Sequence, residues 1–125
     1  MKAKSRPVQK ILIIRFSSIG DIVLTTPIIR CVRRRYPDAE LHYLVKKQFK
    51  SVIASNPHID HIHVLEEDLQ QNIAALKALD FDVVIDLHHN LRTLRVKKAL
   101  DVPRTYTFSK LNVQKWLYTN LKWNT

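Results

Sequence analysis

Apolar positions along the chain recur in two alternating rhythms. Residues 10–16 (KILIIRF) form a nearly continuous β-branched and apolar run, which predicts a strand buried on both faces of a parallel sheet. After the turn Ser17-Ser18-Ile19-Gly20-Asp21, the spacing of Ile22, Leu24, Ile28, Ile29, Cys31, Val32 and Tyr36 predicts a helix. It ends in Arg33-Arg34-Arg35, cations suited to a helix carboxyl terminus, and stops at Pro37-Asp38. Residues 41–45 read as a second strand, 49–54 as a short helix closing at Asn56-Pro57, and 61–65 as a third strand. Glu66-Glu67-Asp68 places acids at the start of a helix carried by Leu69, Ile73, Leu76 and Leu79. Residues 82–87 (DVVIDL) are a further buried strand, followed by a basic amphipathic helix through Leu91, Leu94, Val96 and Leu100. A short strand at 104–108 and an aromatic-rich helical segment around Trp116-Leu117-Tyr118 complete the pattern.

Strands alternating with helices imply right-handed crossovers and an α/β, doubly wound parallel sheet, with 3-2-1-4-5 as the expected spatial order. The switch point then falls between strands one and four, where ligands bind outside the carboxyl ends of strands. The segments facing that crevice are 17–21 and 88–92. Pro27 conflicts with a helix running from Asp21, because it lacks an N–H and clashes with the preceding turn. Either the helix kinks there, or Thr26 is an N-cap and Pro27 the first helical residue. Asp21 lies at the mouth of strand one in both cases.

Composition narrows the function classes. An apolar content of 46% excludes disorder, and no run approaches the roughly 20 apolar residues of a membrane-spanning helix. The basic start MKAKSRPVQK leads into an apolar run that meets Arg15 after four residues, so no secretory signal is read and a cytoplasmic protein is expected. The one cysteine, Cys31, lies among apolar neighbours and is expected to be a small buried side chain. There is one glycine, Gly20, where about nine are usual. The glycine-rich dinucleotide and P-loop phosphate cradles therefore cannot be written, and no cofactor is expected.

The net charge is +10. Its cations gather as Arg30, Arg33, Arg34 and Arg35, then Lys46, Lys47 and Lys50, then Arg92, Arg95, Lys97 and Lys98. Such clusters suit an anionic lipid surface, where each cation contributes about 1 kcal/mol. Aromatics are not interleaved with them as stacking platforms, which argues against nucleic acid as a partner. Solvated helix faces account for part of the charge under any reading. His58, His61 and His63 lie beside Asp60, with His61 and His63 on one strand face, but no third and fourth ligand stands at a recognised spacing and no metal site is expected. Trp116, Tyr118 and Trp123 read as packing surface.

The most informative segment is the turn from Ser17 to Asp21. A carboxylate beside backbone N–H groups and two hydroxyls, at the end of the first strand, is placed to accept a proton from a bound hydroxyl. The plainer reading is that Asp21 stabilises a helix start. Gly20 next to it suggests a backbone position needing positive φ or close approach of another group. The N–H groups of the turn suit an anion such as a sugar carboxylate.

The stretch ILIIRFSSIGDIVLTTPIIRCVRRRYPDAELHYLV resembles the amino-terminal signature of glycosyltransferase family 9, the heptosyltransferases of lipopolysaccharide core assembly, and FDVVIDLHHNLRTLRVKKAL matches that family's fourth-strand region. The resemblance covers residues 10 to about 103. It implies that residues 1–125 are a Rossmann-like amino-terminal domain of a GT-B glycosyltransferase, binding the sugar acceptor, with the donor-binding carboxyl-terminal domain absent and the piece inactive alone. By the same resemblance Asp21 is the catalytic base, Ser17 and Ser18 contact the acceptor, and Arg15 is the family's basic residue of strand one. Gly20, His88, Asn90 and Arg92 complete the expected substrate-binding set. The His88-His89-Asn90 run departs from the family, which often has a glutamine where His88 stands.

The reaction implied is inverting and metal-independent: one carboxylate deprotonates the acceptor hydroxyl as it attacks the anomeric carbon opposite the departing ADP. The implied partners are an ADP-sugar donor, an anionic lipopolysaccharide core acceptor and the cytoplasmic face of the inner membrane. The competing reading is a non-catalytic Rossmann-like module that binds nucleic acid or another polyanion, recognised by a salt-sensitive, sequence-indifferent affinity.

Overall fold

The computed structural model describes residues 7–123, with the side chains of 110, 117 and 120–123 outside the description. Five strands form one all-parallel sheet in the order β3-β2-β1-β4-β5. They are β1 (Lys10–Ile14), β2 (Glu40–Lys46), β3 (His61–Leu65), β4 (Val83–Asp86) and β5 (Arg104–Thr107). The expected order and the expected doubly wound architecture are both found. Between the strands run α1 (Ile19–Val23), α2 (Thr26–Arg35), α3 (Lys50–Ala54), α4 (Leu69–Lys77) and α5 (Leu91–Leu100), and α6 (Lys110–Trp123) follows β5.

The unbroken apolar runs of β1 and β4 have a direct cause: both faces of the sheet are covered. Ile11, Ile13, Leu41, Tyr43, Val83 and Ile85 pack with Ile22, Ile29 and Ile53 of α1 to α3. Leu12, Ile14, Leu44 and Val84 pack on the other side with Leu69, Ile73 and Leu76 of α4 and Val96 and Leu100 of α5. Burying a side chain of this size stabilises the fold by about 1.5–3 kcal/mol. The edge strand β5, by contrast, is exposed along its length.

Four local expectations are corrected. Of the two alternatives left open at Pro27 the second is found with its N-cap one residue earlier, so the pattern from residue 22 to 36 is two helices: α1 ends with Leu24 as its C-cap, and α2 starts with Thr25 as N-cap and Pro27 in the first turn. The missing Pro27 N–H is thus one that no helical partner would have used. Cys31 is exposed, not buried. It lies two residues from buried Ile29, about 200° around the helix, and so faces outward. Leu91 and Leu94 are exposed on α5, whose buried stripe is Thr93, Val96 and Leu100 at helical steps of three and four. Gly20 has no positive φ, and a Cβ there would meet nothing within 4 Å, so neither reason for a glycine arises within the protein.

Several cations of the basic clusters hold the fold. The Arg33 guanidinium donates to the carbonyls of Ala39 (2.6 Å) and His58 (2.8 Å) and pairs with Asp60 at 2.8 Å, while Asp60 also accepts from the Leu41 N–H. Asp60 is therefore engaged by α2 and β2.

Candidate active site

The carboxyl ends of β1 and β4 bring the two expected segments together. β1 passes through buried Arg15 and Phe16 into the serine turn, and β4 ends at buried Asp86, which opens the turn to α5. Arg15 spans the two: one guanidinium nitrogen donates to the Leu87 carbonyl at 2.9 Å and another pairs with Asp21 at 3.0 Å. The Ser18 hydroxyl donates to the same Asp21 oxygen, also at 3.0 Å. Ser18 is the N-cap of α1 by backbone position, yet its side chain makes no capping bond. Arg15 and Ser18 fix the Asp21 carboxylate at the strand mouth, and its side chain keeps 20% of its surface in solvent. Ser17, half-buried, sits at the exit of β1, and Gly20 is exposed in the first turn of α1.

On the β4 side, Asp86 organises the turn. Its Oδ1 accepts from the N–H groups of His88 and His89, both at 2.9 Å, and its Oδ2 pairs with Lys97 of α5 at 3.0 Å. Burial alone would raise this carboxyl, but the His89 N–H, the Thr93 hydroxyl, the Lys97 ammonium and the His88 N–H outweigh it and hold it below the usual carboxylate range. His89 adopts a left-handed conformation (φ 57°) to bring both N–H groups onto one oxygen. Asn90 is the N-cap of α5: its side-chain oxygen accepts from the Thr93 N–H while the Thr93 hydroxyl accepts from the Asn90 N–H, each at 2.9 Å. The side chain expected to touch substrate is thus occupied in a capping box.

His88 lies against Phe16, ring centroids 4.8 Å apart, and its Nδ1 accepts from the Phe16 N–H at 3.3 Å, which leaves its proton on Nε2. Burial first, and then the Arg15 guanidinium, push its pKa down to about 4, so it is a neutral donor at pH 7. This has a measurable consequence. Between pH 6.5 and 4 the unfolded chain takes up a proton that folded His88 refuses, so stability falls as the pH drops through that window. A His88→Gln variant is expected to show a shallower fall of the urea midpoint over this range, and an unchanged slope would count against the assignment.

Arg92 also reaches over Phe16, its guanidinium carbon 5.0 Å from the ring centroid. It also lines a cleft of about 890 Å³ with Lys46, Lys47 and Lys50, whose cations are partly offset by Glu66, Glu67 and Asp68. Asp21 does not line that cleft. It borders a separate depression of about 10 Å³ with Arg15, Leu87 and the α6 residues Val113 and Gln114. The structure therefore gathers Arg15, Ser18, Asp21 and His88 closely, and sets Arg92 at the join to the larger cleft. The sequence reading missed Asp86, although a carboxylate closing an apolar run is a signal: such a group, at the end of a buried strand, must be satisfied by the turn that follows.

Among the described residues no helix is long and apolar enough to cross a membrane. No family model matches the chain. Lipopolysaccharide heptosyltransferase 1 of Campylobacter coli is 27% identical over 97 residues, covering 73% of this chain and 28% of its own length. A glycosyl transferase family 9 structure from Veillonella parvula superposes with a TM-score of 0.76 at 26% identity, over 86% of this chain and 34% of that one. The E. coli ADP-heptose lps heptosyltransferase II structure shares the fold, with a TM-score of 0.72 at 19% identity over 79% and 30% of the two chains. Each of these proteins is about three times longer than the part this chain matches. Over that part the chain is similar in sequence and in fold to heptosyltransferases and to glycosyltransferase family 9.

Proposed function

We propose that this chain is the acceptor-binding, amino-terminal part of an inverting glycosyltransferase that moves heptose or a related sugar from an ADP-sugar to the lipopolysaccharide inner core, with Asp21 as general base. The observation that carries the reading is the Asp21 carboxylate held at the mouth of β1 by Arg15 and Ser18. A carboxylate in that position takes the acceptor proton as the hydroxyl attacks the anomeric carbon, and a single displacement inverts the centre. An aspartate is a weak base, and it suffices because proton loss follows bond formation to a carbocation-like carbon. The Nε2–H of neutral His88 orients an acceptor hydroxyl from the opposite wall. The ADP leaves as a stabilised diphosphate, so no second acid is required, and its binding falls to sequence outside the matched part. The Campylobacter coli and E. coli relatives support donor and acceptor of this kind by what they are named for.

Lys46 and Arg92 are assigned to the anionic acceptor. With Arg33 and Lys97 committed to Asp60 and Asp86, and with acids sharing the cleft, the surface is less suited to an extended polyanion such as nucleic acid. A transfer assay on the full-length protein tests the reading. ADP-heptose should serve as donor and the product should carry inverted anomeric configuration by NMR. The double variant Lys46→Glu/Arg92→Glu should raise KM for the acceptor about tenfold with kcat little changed, since two exposed charge contacts together are worth about 1.4 kcal/mol. Product with retained configuration would reject the mechanism.

A further inference from the structure

The amino ends of β2 and β3 carry a cluster that the catalytic reading leaves unused. These strands pair in a register that sets His42 opposite His61 and Leu44 opposite His63. Side chains alternate along a strand, so Glu40 and His42 share one face of β2, and His61 and His63 lie on the same face of β3. There Glu40 Oε1 is 3.1 Å from His42 Nε2 and 3.7 Å from His61 Nε2, and the three residues each offer one ligand atom within 4.8 Å of the others. The His42 ring stacks on those of His61 and His63 and meets the edge of Phe81 at 4.9 Å.

We propose that Glu40, His42 and His61 bind one divalent transition-metal ion of the zinc class, which clamps the edge strand β3 to β2. Two imidazoles and a carboxylate, with water in the fourth position, are a common three-ligand set for zinc, and imidazole nitrogen selects it over magnesium or calcium. Tetrahedral bonds of about 2.0–2.2 Å place ligand atoms roughly 3.3–3.5 Å apart. The observed 3.1 and 3.7 Å bracket that spacing. Metal-bound histidines need a partner for the second ring nitrogen. His42 has one already: its Nδ1 is 2.8 Å from His63 Nε2. With the ion on Nε2, the His42 proton sits on Nδ1 and His63 accepts it.

Burial and access are divided usefully. The His42 side chain is 3% exposed and packed against Phe81, which fixes its ring, whereas Glu40 and His61 are about half exposed and let an ion in. Among the described residues β3 has a neighbour on one side only. Two ligands from β2 and one from β3 therefore brace the sheet where its ladder is least supported. The cluster lies at the opposite end of the strands from Asp21, and it stands or falls independently of the transferase reading.

The test uses the purified full-length protein, stripped with a chelator and titrated with Co²⁺ and then Zn²⁺. The expected result is one equivalent of Co²⁺ with the visible spectrum of a low-coordinate site, displacement by Zn²⁺, and a higher Tm in saturating metal. His61→Ala, an exposed change that leaves the core intact, should weaken binding at least tenfold, as should Glu40→Gln. His63→Phe should weaken it about 10- to 100-fold by removing the acceptor for His42. His58→Ala, outside the cluster, should leave it unchanged. Absence of stoichiometric binding, or binding indifferent to both His61→Ala and Glu40→Gln, would overturn the site in favour of a hydrogen-bonded histidine stack. Binding with no rise in Tm would overturn the clamp.

Discussion

Turnover in an Asp21→Asn variant is expected to fall about 10²- to 10⁴-fold, the usual contribution of a positioned general base, with KM for donor and acceptor changing little. The substitution is nearly isosteric. An asparagine oxygen still accepts from Arg15 and from Ser18, so the geometry at the strand mouth survives while the ability to take a proton is lost. Arg15 then keeps its bond to the Leu87 carbonyl but loses its counter-charge, a modest cost in stability of about 1–3 kcal/mol. The urea midpoint and kcat should therefore separate clearly. A variant that turns over within a few-fold of the native protein would remove Asp21 from the chemistry, and the plainer role, a carboxylate favouring the first turn of α1, would be all that remains.

The largest effect on stability is expected at Asp86. Asp86→Ala strips the acceptor from two N–H groups and leaves the Lys97 ammonium with the Thr107 hydroxyl but without its counter-charge, beside a fully buried position. Breaking a buried pair by deleting one partner costs about 3–5 kcal/mol. Asp86→Asn should cost less, because an amide oxygen still receives the His88 and His89 N–H groups, although its NH2 then faces the Lys97 ammonium and that pairing is lost. The order Ala worse than Asn, read from urea midpoints, checks the claim. The same turn aims His88, so residual transfer in Asp86→Ala should show a raised acceptor KM, and Asp86→Asn, which keeps the acceptor for the His88 N–H, a smaller rise. Equal stability of the two variants would mean that the backbone turn does not depend on this carboxylate.

Sheet order and the two crevice segments were legible because buried parallel strands write themselves as unbroken apolar runs, and crossovers of one hand leave few ways to arrange five of them. The strand His61–Leu65 and the helix Leu91–Leu100 stand where the pattern predicts them. Other features were hidden for physical reasons. Apolar spacing alone runs on through the break between α1 and α2, and Pro27 signalled it only as one of two alternatives, with the N-cap one residue later than found. The capping box at Asn90 was not read because a cap and a binding side chain use the same residue types at the same end of a helix. The partners of His61 were invisible in one dimension. Glu40 and His42 lie about twenty residues away and become its neighbours only through the register of β2 on β3. Asp21 was legible as a candidate, whereas its tie to Arg15 depends on how β1 turns at its end.

The account rests on the Asp21 carboxylate meeting the acceptor alcohol, and a structure of the full-length protein with acceptor bound measures that contact directly. The reacting hydroxyl is predicted within about 2.6–3.2 Å of a carboxylate oxygen of Asp21, with His88 Nε2 donating to the same sugar and Lys46 and Arg92 on its anionic groups. An acceptor seated wholly in the 890 Å³ cleft, its hydroxyls out of reach of Asp21, would contradict it.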